Sequence, residues 1–124
     1  LCITGALPYE TVIKEMLSAS VFVLPTYTEG FPNVIIESMA CSCPIVTCPV
    51  GAIPEMLNIN GNKPCGICVP PKDGNALKNA IIKMLENPEQ ASVMGTNARA
   101  RVLSEYSINS IWEKLCCIWN ANNC

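Results

Sequence analysis

A chain of 124 residues, 50% of them apolar, can bury one modest core and has no room for a second domain of ordinary size. Eight Lys and Arg stand singly against ten Asp and Glu, for a net charge of -2, which lacks the basic stripe that neutralises a nucleic-acid backbone and excludes nucleic acid as a partner. Apolar runs such as Val21-Phe22-Val23-Leu24 are far shorter than the roughly 20 residues that cross a bilayer, and no charged-then-apolar leader opens the chain, so a soluble, cytoplasmic protein is expected.

In chain order, Leu1–Thr4 reads as a strand already under way, which predicts sequence upstream of it. Pro8 then opens a helix with Val12, Ile13, Met16, Leu17 and Ser20 on a 3.6-residue rhythm. Val21–Pro25 is the second strand, and Pro32 takes the first position of a helix whose apolar face is Ile35, Ile36, Met39 and Ala40. Strands over Ile45–Cys48 and Gly66–Val69 follow. Asp73 caps a helix striped by Leu77, Ala80, Ile81, Met84 and Leu85, which Asn87-Pro88 ends while starting the next. Two further helical patterns close the chain, one through Met94, Ala98, Val102 and Leu103, the other from Ser107 through Trp112 to Trp119, with both tryptophans packing the closing helix.

Strands that are apolar on both faces belong to a parallel sheet covered on both sides. Their alternation with helices predicts an α/β, Rossmann-like parallel sheet flanked by helices, with ligands beyond the carboxyl ends of the strands. The loops after Leu24 and Cys48 therefore hold the candidate site.

The first of these loops places Gly30 and Pro32 between a strand end and a helix start. Free amides of Asn33, Val34 and Ile35 would carry about half a positive charge there, which suits a diphosphate without any lysine. Gly30 lets a ligand approach the backbone. Glu29 lies just outside the helix and Glu37 about one turn inside it. A carboxylate accepts two hydrogen bonds side by side, so both suit paired hydroxyls of a ribose or a sugar.

Glu29-Gly30-Phe31-Pro32, the Glu-x7-Glu spacing to Glu37, Met39-Ala40-Cys41, Pro44-Ile45-Val46 and Gly51-Ala52-Ile53-Pro54-Glu55 together resemble the group 1 glycosyltransferases, retaining enzymes of GT-B fold. The likeness runs from about Gly5 to Tyr106. It implies that residues 1–124 are part of the C-terminal, donor-binding domain, with the acceptor domain and the start of this one absent. Glu29 is implied as the catalytic residue at the donor sugar and Glu37 as the ribose ligand. Gly30, Phe31, Pro32, Asn33, Val34 and Ile35 are implied around the sugar and diphosphate, and Gly51 in the same pocket. The donor would be a UDP-, GDP- or ADP-sugar, and the acceptor a glycan, a lipid or a small metabolite. A lipid acceptor would put the enzyme at the inner face of the membrane. No metal or cofactor is implied. The chain departs from the family at Ser42, where glycine is usual, and at Ala52, and it lacks the family's basic residues for the diphosphate. Alone it is expected to be inactive, with an exposed sheet edge that favours dimers.

Other classes remain beside this one. A nucleotide-sugar-binding module without turnover and an epimerase of the same fold use the same site. A metal or redox protein would use Cys65-Gly66-Ile67-Cys68, yet no second pair and no histidine accompany it. Most of the nine cysteines, Cys2, Cys48 and Cys68 among them, read as reduced apolar core residues.

Overall fold

The computed structural model describes residues 1–121. Three parallel strands, β1 (Phe22–Leu24), β2 (Ile45–Thr47) and β3 (Gly66–Cys68), form one sheet in the order β1-β2-β3. The register pairs Leu24 with Thr47 and Thr47 with Cys68, so all three strands end level and their following loops emerge side by side.

Helices α1 (Tyr9–Ser18), α2 (Asn33–Ala40), α3 (Ile53–Met56), α4 (Gly74–Glu86) and α5 (Pro88–Arg101) interleave with and follow the strands; a π-helical turn (Val102–Tyr106) leads into α6 (Ile108–Ala121). Strand β2 is buried along its whole length, and successive side chains leave it toward opposite layers. Ile45 joins Ile35 and Met39 of α2, Ile53 and Met56 of α3, and Ala98 of α5. Val46 joins Cys48, Val69, Ala80 and Met84 of α4, and Met94. A helix layer on each face of a parallel sheet is the Rossmann-like arrangement that uninterrupted apolar strands require.

The helix ends follow local chemistry. Asp73 accepts the Ala76 amide at 2.8 Å and caps α4, and Asn87 ends α4 while preceding Pro88 of α5. Pro32 caps α2 from outside instead of taking its first helical position. The carbonyl ends of α2 and α3 are closed by α5: Arg99 donates to the Ala40 carbonyl, and Arg101 donates at 3.0 Å to the carbonyls of Met56 and Glu55. Gly95 permits the crossing, since a Cβ there would stand 2.1 Å from the Ser42 carbonyl oxygen.

Several expectations fail. Leu1–Thr4 pairs with no strand; Leu1 and Ile3 are exposed, as is Cys2, because no helix covers this run and Gly5, in left-handed backbone, turns the chain out of it. Leu17 is exposed and Ser20 lies beyond α1, leaving Met16 as its buried anchor. The tryptophans of α6 do not pack it down: Trp112 and Trp119 are 65% and 73% exposed, because α6 touches the turn before it and leaves its apolar side open. Ser42 takes φ 57°, the left-handed conformation for which glycine is usual.

Candidate functional site at the carboxyl ends of the strands

The loops after β1 and β2 are joined main chain to main chain. The Ala52 amide donates to the Gly30 carbonyl at 2.9 Å, and Gly51, at φ 56°, lies so close beneath the Glu29–Gly30 peptide that a Cβ would meet the Glu29 carbonyl oxygen at 2.1 Å. Gly51 therefore supports the loop. Gly30 is the opposite case, because a Cβ there would meet no protein atom within 4 Å.

Glu29 is half-buried, and its carboxylate accepts a hydrogen bond from the Thr26 hydroxyl at 3.1 Å. Phe31 sets its ring edge-on against Tyr106 at 5.7 Å, which ties this loop to the end of the π-helical turn. Pro32 is buried beneath the start of α2 and Asn33 is exposed. The side chain of Ile35 is wholly in the core, and its amide, expected to be free, donates to the Pro32 carbonyl at 3.1 Å. Among the described residues the amides of Asn33 and Val34 have no main-chain partner, and no side chain caps them. Glu37, half-buried, is the fifth residue of α2, one turn in.

Thr26, Tyr106 and Lys72 also bear on these loops. The first was legible as a hydroxyl three residues before a carboxylate. The others meet the loop only through the fold: the Lys72 ammonium lies 5.9 Å from the centre of the exposed Tyr27 ring. Beside them a cavity of about 140 Å³ opens between Pro25, Tyr27, Cys48, Val69 and Lys72, also at the carboxyl ends of the strands. A larger hollow of about 330 Å³, lined by Ser20, Ser42, Pro44 and Met84, lies by the amino ends of β1 and β2, away from the end where ligands of such sheets bind.

Four of the described cysteines are governed by burial. Burial pushes the thiols of Cys41, Cys43 and Cys65 up, and that of Cys68 up to about 11, with Cys48 beside it adding to the effect. Such thiols stay protonated, poor as nucleophiles and metal ligands. Among the described residues no three His, Cys, Asp or Glu side chains gather where they could hold a metal ion.

The family of group 1 glycosyl transferases matches residues 1–101. The chain is 37% identical over 102 residues to the capsular polysaccharide biosynthesis glycosyltransferase CapM of Staphylococcus aureus, covering 82% of this chain and 26% of the relative. It is 31% identical over 108 residues to the MMP alpha-(1->4)-mannosyltransferase of Mycolicibacterium hassiacum, covering 87% and 26%. Among solved structures, sucrose-phosphate synthase from Thermosynechococcus elongatus superposes with a TM-score of 0.82 at 32% identity, over 95% of this chain and 29% of that one. Anabaena Alr3699/HepE, in complex with UDP, gives 0.76 at 21% identity over 86% and 29%, a likeness of fold alone. The chain thus spans little more than a quarter of the length of these relatives.

Proposed function

The chain belongs to the group 1 glycosyl transferases, and we propose that it supplies the donor site of an enzyme that moves a sugar from a UDP-, GDP- or ADP-sugar to a glycan, lipid or small-molecule acceptor with retention at the anomeric carbon. In this reading it is the C-terminal donor-binding domain of a GT-B enzyme, and the acceptor is held by a domain outside these residues. Acceptors carried on lipid place the enzyme at the inner membrane face; among the described residues no helix is long and apolar enough to cross a membrane.

One observation carries the reading. The Gly51 loop holds the Glu29–Gly30 peptide at the mouth of α2, beside two unbonded amides and open space over Gly30. An anionic diphosphate is the ligand a helix start of this kind favours. The amides of Asn33 and Val34 and the dipole of α2 would stabilise the leaving nucleoside diphosphate as its charge grows. Gly30 would let the donor sugar lie against the main chain, and Glu29 would take hydrogen bonds from sugar hydroxyls and hold the anomeric carbon toward the acceptor. Glu37 would grip the ribose diol. Phe31, leaning on Tyr106, would wall the sugar end.

Histidine is absent from the chain, so no imidazole base is available within it. These residues would therefore bind, orient and stabilise charge. Saturation-transfer NMR of this chain against a panel of nucleotide sugars tests it: ribose and sugar protons of one donor should receive saturation, and Glu37→Ala should abolish it. Equal saturation in the variant would remove Glu37 from the site and the reading with it.

A further inference from the structure

The Thr26 hydroxyl stands 3.1 Å from Oε1 of Glu29 and 3.3 Å from the Thr28 carbonyl oxygen. One hydroxyl has one proton, and the ionised acceptor is both the nearer and the stronger, so the proton goes to the carboxylate. Thr26 is itself held. Its amide donates at 3.0 Å to the Leu24 carbonyl, which also accepts the hydroxyl of Thr47 at 2.9 Å. Thr47 is fully buried in the central strand. A path of hydrogen bonds therefore runs from the core of the sheet to the Glu29 side chain, while Gly51 and Ala52 fix the Glu29 main chain from below.

We propose that Thr26 is a positioning residue for Glu29, holding its carboxylate in the orientation that receives the donor sugar. The inference rests on the reading of Glu29 as the contact of the sugar end. A glutamate in a loop otherwise samples several rotamers, and each must be given up when the ligand binds. The Thr26 bond removes that freedom beforehand. Thr26→Val keeps the shape and loses the donor, whereas Thr26→Ser keeps the hydroxyl.

Calorimetry on this chain with UDP, GDP and ADP, and with the corresponding nucleotide hexoses, separates the two ends of the site. Thr26→Val should lower affinity for the nucleotide hexose about three- to tenfold, the size of one hydrogen bond, and leave the bare nucleoside diphosphate within about twofold. Thr26→Ser should restore it. In a Glu29→Ala background Thr26→Val should have no further effect, since the group it orients is gone. Equal losses for both ligands, no loss at all, or an undiminished effect in the Glu29→Ala background would each overturn the positioning role while leaving the donor site in place. Binding of neither ligand by the unaltered chain would overturn the donor-site reading, and a silent Glu29→Ala would overturn the part given to Glu29.

Discussion

At Gly51 a hydrogen atom occupies the only space between two loops. A methyl group there would stand 2.1 Å from the Glu29 carbonyl oxygen and 2.7 Å from that of Gly30, and would also have to accept φ 56°. Both obstacles are backbone, so neither can rotate away. Gly51→Ala should therefore cost about 2–5 kcal/mol, the sum of overpacking and left-handed strain, measurable as a fall in the urea midpoint, and should reduce nucleotide-sugar binding along with it. Ser42 presents the reverse case: it already holds φ 57° with a side chain. Ser42→Gly should stabilise the chain by about 0.5–1 kcal/mol, strain relief less the added freedom of the unfolded state. The sequence pointed to both positions, Gly51 for the pocket loop and Ser42 as a departure from glycine. It did not reveal that Gly51 serves the loop of Glu29, because the contact joins residues more than twenty positions apart.

Elements with locally encoded ends were legible, whereas whether the apolar run Leu1–Thr4 meets a distant partner was not. The Asp73 cap of α4 and the Asn87-Pro88 break use neighbours in sequence, and the structure has them as read. Asp73→Ala should cost about 1 kcal/mol, seen by thermal unfolding. The apolar composition of Leu1–Thr4 could not tell whether a sheet edge and a covering helix would meet it, and neither does. The Ile35 amide is bonded and not free because the helix start folds tightly onto the Pro32 carbonyl.

Strand β3 also ties stability to pH. Burial, with Cys48 beside it, pushes the Cys68 thiol from its ordinary 9.0 up to about 11. Between those values the folded chain keeps a proton that the unfolded chain loses. Its contribution is therefore complete below pH 9 and is lost as pH rises toward 11. Cys41, Cys43 and Cys65 shift the same way and add to the loss. Urea midpoints measured on either side of this window should fall with pH, and Cys68→Ala should flatten the fall.

Across the whole molecule, the parallel sheet between two helix layers was readable because its strands are apolar on both faces, a pattern that only two-sided cover satisfies. The tail was not. Helix α6 has a helical apolar period, yet Ile108, Trp112, Leu115 and Trp119 face outward, and the ion pair of Lys114 with Glu105 at 2.6 Å joins it to the preceding turn at the surface. Periodicity establishes that a face is apolar and leaves open what covers it. Trp112→Ala and Trp119→Ala should each change the stability of this chain by less than about 0.5 kcal/mol, and acrylamide should quench both indoles as it does free tryptophan.

The most direct test of the donor site is an amide map of the ¹⁵N-labelled chain titrated with UDP-, GDP- and ADP-sugars. One of these donors should move the amide signals of Gly30, Asn33, Val34, Gly51 and Ala52 together, and leave those of α4 and α5 in place. Shifts confined to Tyr27, Lys72 and the start of α4, or to the hollow around Ser42 and Pro44, would put the ligand elsewhere and contradict the account.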